Sequence, residues 1–186
     1  MEMLARNQYA QTDERNPIDC SLFYLALQKK NVLAGLWRNA GWHKEQNVML
    51  KFLTHDFRED RWRTAASKNA YALLSKQRYG RSSTTVLTLT LSEYAAAFFL
   101  LADCLKDAVN VCIRNLNDFQ LAVAIARVYE GDDGSILLQI INDHILPRAA
   151  QEGDRWLASW AFWMLGDRGR SVQALIVCPN LTWTNL

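Results

Sequence analysis

The sequence predicts an all-α protein built as an α-solenoid of antiparallel helical hairpins, a section of a larger solenoid. Three observations lead there. Apolar residues recur with the helical period of about 3.6 residues almost throughout positions 17–177. The connections are short, roughly 2–5 residues, so consecutive helices must run antiparallel. The stretch Ala97-Phe98-Phe99-Leu100-Leu101-Ala102-Asp103 reappears as Ala161-Phe162-Trp163-Met164-Leu165-Gly166-Asp167, and each copy leads into another apolar helix. A hairpin that buries its apolar face only against its neighbour follows the grammar of a solenoid repeat.

Taken in order, Asn16-Pro17 opens the first helix as an N-cap followed by proline at the first helical position, with Ile18, Leu22, Leu25, Phe23 and Ala26 inside, to about Lys30. A short helix over Val32–Ala40 stops at Gly41. The next covers His43–Thr54, with Val48, Met49, Phe52 and Leu53 as its stripe. Another covers Trp62–Gln77 through Trp62, Ala66, Asn69, Ala70, Leu73 and Leu74, and Gly80 is its stop. Helices follow at Ser92–Ala102 and Leu105–Leu116. In the second of these Leu105, Ala108, Val109, Cys112 and Leu116 share a face, while Lys106, Asp107, Asn110 and Arg114 look away. Asp118 caps Phe119–Tyr129, whose Ala122 and Ala126 admit a close neighbour. Ser135–Ile145 is helical, Pro147 interrupts it, and Gly153-Asp154 forms a turn and a cap. Arg155–Leu165 and Arg170–Val177 complete the run.

The helix at Arg155–Leu165 places Trp156, Trp160 and Trp163 at i, i+4 and i+7, on one face, with Leu157, Ala161, Met164 and Leu165 apolar behind them. A helix apolar all round is expected to be interior, and the three indoles are read as core. Ten apolar residues between Arg155 and Asp167 are too few to span a bilayer.

Composition bounds the function. The chain has 186 residues, 50% apolar and 22% charged, and a net charge of +2 that is too small to argue for a nucleic-acid partner. Cys20, Cys104, Cys112 and Cys178 show neither C-x-x-C spacing nor a neighbouring His pair, so they are expected to be reduced and metal-free. No signal peptide or membrane span stands out, and a cytosolic protein is expected, in which the sequon Asn180-Leu181-Thr182 carries no meaning. Glu130-Gly131-Asp132-Asp133-Gly134 lacks the alternating ligands and distal Glu of a calcium loop and is read as an acidic turn. His43, His55 and His144 have no ligand-spaced partners, and a Cys20/His43 pair lacks a third orienting group. No cofactor, metal or catalytic residue is therefore expected, and the protein is read as no enzyme. One segment has interface composition, mixing cations and aromatics: Trp37, Arg38, Trp42, His43 and Lys44, with Arg58, Arg61, Trp62 and Arg63.

The segments Cys20–Leu33, Gly35–Arg38, Trp42–Gln46, Arg61–Ala66, Asn69–Lys76, Tyr94–Leu101, Leu105–Cys112, Ala126–Asp132 and Ala150–Trp163 together resemble the C-terminal α-helical region of one family. It is the large subunit of the RAVE complex and its animal relatives, the DmX-like proteins or rabconnectins. The resemblance covers most of positions 17–176. It implies a non-catalytic cytoplasmic scaffold that promotes assembly of the proton-pumping V-ATPase. The implied partners are the pump's cytosolic catalytic sector and the other RAVE subunits, with peripheral attachment to vacuolar and endosomal membranes through the pump. Family members carry β-propellers ahead of this region, so the chain is expected to be a fragment, and the alternatives are an inert piece of such a scaffold or a general trafficking interaction module. The expected layout is a polar segment over 1–16, a solenoid over 17–177 and an atypical tail over 178–186. An insert over 80–91 has alternating Thr, Val and Leu, a strand-like pattern that departs from the family and has the look of read-through.

Overall fold

A computed structural model describes residues 1–11, 13–79 and 85–176. Among the described residues the regular structure is helical throughout, so the protein is all-α. The helices are α1 (Glu2–Ala10), α2 (Pro17–Ala26), α3 (Lys30–Asn39), α4 (Gln46–Thr54), α5 (Asp60–Tyr79), α6 (Thr85–Leu101), α7 (Leu105–Arg114), α8 (Phe119–Glu130), α9 (Ser135–Ile140), α10 (Leu146–Glu152), α11 (Arg155–Met164) and α12 (Arg168–Ile176). They group into two compact units, Met1–Tyr129 and Glu130–Leu186.

The first unit is organised around α6. Its Ala95, Ala96 and Ala97 are buried and let neighbouring backbones approach, while Phe98, Phe99, Leu100 and Leu101 fill the space around them. Against it pack α5, α7 and, from four helices earlier, α2. Each large apolar side chain removed from water here contributes about 1.5–3 kcal/mol. The start of α2 follows the sequence: Asn16 accepts a hydrogen bond from the Ile18 N–H at 3.1 Å, and Pro17 takes the first turn. The predicted stripe of α7 is also in place, with Leu105, Ala108, Val109 and Cys112 buried.

Several expectations need correction. The polar segment at the N-terminus holds α1, which buries Ala5 against α2 and ties Glu2 to Lys29 and Arg6. The part of the Thr/Val/Leu stretch from Thr85 onward is helix, the first part of α6, with the Ser92 hydroxyl bonded to Gln77 on α5 at 3.1 Å. Helical continuity with the buried run after it outweighs the β-propensity of its residues. Residues 80–84, the stop at Gly80, the tail with Cys178 and the sequon lie outside the described residues. Val48, assigned to the inner stripe of α4, is 68% exposed, whereas Met49 and Leu53 face inward.

Further corrections are in the second unit. Its core gathers Ala149, Ala158, Phe162 and Ala174, with Leu146, Ala150, Leu157 and Leu165 packed around them. The indoles are on the other side of α11: Trp156 is 78% exposed, Trp163 58%, and Trp160 is half-buried. Apolar periodicity shows that residues share a face, but not which face a neighbour covers. Here α10 and α12 cover the Ala158/Phe162 side. Arg168 lies over the Trp163 ring at 5.4 Å. Pro147 does not break the path from α9 to α10. A π-helical turn at Ile141–Ile145 absorbs the missing N–H, so the helix continues through the proline. The acidic loop is a cap, in which the Glu130 carboxylate accepts the Ile136 N–H at 3.1 Å.

Candidate functional site

Three hairpin turns and one helix end meet in the first unit and enclose an open cleft of about 500 Å³. The first turn follows α2. Leu25 ends the apolar face of that helix, Gln28 takes the left-handed conformation at φ 58°, and the Lys29 N–H closes back on the Tyr24 carbonyl at 2.9 Å. Lys30 then opens α3 and donates to the His55 carbonyl at 2.9 Å.

The second turn, between α4 and α5, is held by Asp56, which accepts the Arg58 backbone N–H at 3.0 Å. It presents Phe57, whose ring lies 5.1 Å below the Lys30 ammonium and 5.2 Å from Phe52. Arg58 stands exposed at the rim, and Arg63, one turn into α5, pairs with Asp60. That partner holds the Arg63 guanidinium above its already high pKa, so it is cationic at every relevant pH.

The third turn follows α6. Asp103 is left-handed at φ 59°, its N–H bonded to the Leu100 carbonyl at 3.1 Å and the Cys104 N–H to that of Phe99 at 2.9 Å. From the end of α8 the Tyr129 hydroxyl donates to Asp103 Oδ1 at 2.7 Å. Burial and the adjacent carboxylate both push the Tyr129 phenol up, so it remains a donor. Leu25, Phe57, Leu100 and Leu101 supply the apolar wall.

The interface-like residues read from the sequence separate in space. Arg58 and Arg63 line the cleft. Arg61 points elsewhere, its guanidinium 5.1 Å from the Trp62 ring, which in turn stacks on His55 with centroids 3.4 Å apart. Trp37 is fully buried, edge-on to His43 at 5.0 Å, and acts through packing. Trp42 is half-exposed, 5.3 Å from the His43 ring, Arg38 and Lys44 are exposed, and the Arg38 carbonyl accepts the Gln46 side chain at 2.9 Å. The cleft residues that composition did not single out include Gln28, Lys30, Asp56, Phe57, Asp103 and Tyr129. They come from four separate stretches of chain, and the nearest signal for any of them was the Asp that closes the repeated motif at Asp103.

Among the described residues, no cluster of three or more His, Cys, Asp and Glu side chains has metal-binding geometry. Cys20 and Cys112 are buried thiols pushed up to about 12, which leaves them in the unreactive protonated form. No helix among the described residues is long and apolar enough to cross a membrane.

Fold and site define an all-α protein of packed helices with an open, partly apolar cleft that carries both cationic and carboxylate side chains. The chain belongs to the family described as RAVE protein 1 C terminal, which it matches over residues 1–185. It is 49% identical over 173 residues to the "Regulator of V-ATPase in vacuolar membrane protein 1" of Schizosaccharomyces pombe, covering 93% of this chain and 12% of that protein. The protein of the same description in Saccharomyces cerevisiae is 43% identical over 178 residues, 96% of this chain and again 12% of the relative. Human "DmX-like protein 1" is 38% identical over 180 residues, 89% of this chain and 5% of the relative. The chain thus spans about one eighth of the length of the two fungal relatives.

Proposed function

We propose that this chain is a non-catalytic scaffold module that promotes assembly of the vacuolar and endosomal V-ATPase by holding the pump's detached cytosolic sector. The other RAVE subunits are its co-partners, and its place is the cytoplasmic face of those membranes, reached through the pump. The carrying observation is the 43–49% identity over more than nine tenths of the chain to two proteins described as regulators of V-ATPase in the vacuolar membrane. At that similarity the relatives' role is the best guide to this one. Buried unreactive thiols and a cleft built from turns support docking over catalysis. In the longer protein we take the hairpins to extend into a solenoid, with residues 17–177 as one section of it.

The test is capture of the purified soluble V-ATPase sector at low and moderate salt. Wild type is compared with the triple variant Arg58→Glu, Arg61→Glu, Arg63→Glu and with Lys106→Glu on α7 as a charge control. The triple variant should capture less, with an unchanged helical spectrum, because charges at a rim act mainly on association rate and salt dependence. Equal capture by all three removes this surface from the interface. No capture by any of them would contradict the docking role.

A further inference from the structure

The turns that end α6 and α11 close in the same way. The Asp103 N–H bonds to the Leu100 carbonyl and the Cys104 N–H to that of Phe99, while the Gly166 N–H bonds to the Trp163 carbonyl and the Asp167 N–H to that of Phe162. Asp103 and Gly166 are both left-handed, at φ 59° and 77°, and the next helix starts two residues later in each case, at Leu105 and Arg168. Matching turn to turn sets a register one residue away from the repeat visible in the sequence. It places Trp156, Trp160 and Trp163 at the positions that Glu93, Ala97 and Leu100 hold on α6, and Phe162 at that of Phe99.

In the first unit the sides of α6 have different neighbours. On the Phe99 side is α5, whose Tyr71 ring is edge-on to Phe99 at 5.0 Å, and the chain returns after the turn as α7. On the side of Glu93, Ala97 and Leu100 is α2. There Asp19 acts on the Glu93 carboxyl at one end and Leu25 lines the cleft with Leu100 at the other, so α2 runs parallel to α6. In the second unit α10 and α12 take the places of α5 and α7 around Phe162. The place of α2 is open among the described residues. The indole row stands there, with Trp156 78% exposed and Trp163 58% exposed. Val172 and Ile176, one and two turns beyond Arg168 on α12, are exposed as well. Single apolar residues on a surface are ordinary, whereas a row of indoles marks a binding face.

We infer that the Trp156/Trp160/Trp163 face binds an α-helix laid parallel to α11, as α2 lies on α6, and that this helix belongs to the same polypeptide in a longer form. A helix is what the same local fold puts on this side in the first unit. The source follows from length, because this chain spans only about one eighth of its fungal relatives. Where α6 offers Ala97, α11 offers Trp160, so the incoming helix needs a small residue at that crossing and aliphatic residues to either side. The inference rests on reading this chain as one section of a longer solenoid, and it is independent of the capture of the pump's sector.

The test offers this chain to overlapping peptides of about 20 residues, roughly 30 Å long as helices, that tile the rest of the Schizosaccharomyces pombe relative. Wild type is compared with Trp156→Ser/Trp163→Ser and, as a control, with Val48→Ser at an exposed apolar residue of α4. At least one peptide should retain the wild-type chain and gain helical ellipticity on binding. The double variant should be retained about tenfold less, the cost of truncating interface aromatics, with its own helical spectrum unchanged, and Val48→Ser should match wild type. Equal retention of wild type and the double variant overturns the inference while the longer solenoid stands. If no peptide retains the wild-type chain, both fail. Two other occupants found in place of a peptide would also overturn the inference. One is a second copy, shown by concentration-dependent dimerisation that the double variant abolishes. The other is a lipid surface, shown by sedimentation of wild type, but not of the double variant, with vesicles of phosphatidylcholine and phosphatidylserine.

Discussion

The Tyr129 hydroxyl reaches from the end of α8 to Asp103 Oδ1 at 2.7 Å, joining a helix end to the turn between α6 and α7 that is distant from it in sequence. The bond fixes the carboxylate wall of the cleft. Tyr129→Phe keeps the ring and removes the donor. A loss of about 0.5–1.5 kcal/mol is expected by chemical denaturation, the net value of an ordinary hydrogen bond. No change would mean that water replaces the phenol without cost.

The side of α11 that is covered determines which of its aromatics matter to stability. Phe162→Ala should cost about 3–5 kcal/mol, since it opens a cavity in a packed cluster. Trp156→Ser, at a residue 78% exposed, should change stability by no more than about 0.5 kcal/mol. Equal losses at both positions would restore the tryptophan face to the interior.

This contrast shows how far the sequence can be read. Where chemistry is local, it is legible: Asn16-Pro17 names a helix start, Asp154 a cap bonded to the Leu157 N–H at 3.0 Å, and the α7 stripe a buried face. Where the outcome depends on what comes to lie alongside, it is not. The indoles of α11 satisfy the same periodicity as a core, yet Ala158 and Phe162 are the side that finds neighbours. The helix α1 is hidden by its polar composition because a single buried alanine secures it. The Thr85–Leu91 stretch alternates like a strand, but it is the first part of α6, whose later residues Tyr94–Leu101 are buried. The cleft is hardest to foresee. Arg58 and Arg63 stand out by composition, while Gln28 and Tyr129 acquire meaning only when three turns converge.

Gly134 should not tolerate a side chain. A Cβ there would lie 2.6 Å from Cβ of Glu130, the residue whose carboxylate caps α9. Gly134→Ala must displace that cap, and a cost of about 1–3 kcal/mol is expected from the overpacking. A melting temperature equal to that of wild type would show that the loop can move aside freely.

Glu93 on α6 makes stability depend on pH. Burial, with smaller contributions from Asp19 and Asp118, raises its pKa above the ordinary 4.5. The folded state therefore holds the proton more tightly than the unfolded chain. This stabilisation is present below the unfolded pKa and is lost as pH rises through the folded value, which leaves a buried charge at neutral pH. Glu93→Gln should raise the melting temperature at pH 7, and the gain should vanish near pH 4. A gain that persisted in acid would assign the effect to packing.

An assembly factor must let go of its product, and a ligand shifts an equilibrium only by its differential affinity for the two states. The most direct test of the proposed role is therefore the dissociation constant of this chain for the detached cytosolic sector and for the assembled V-ATPase. The proposed role predicts binding to the detached sector tighter by about tenfold or more, a difference of at least roughly 1.4 kcal/mol. Equal affinity for the two, or tighter binding to the assembled pump, would contradict it.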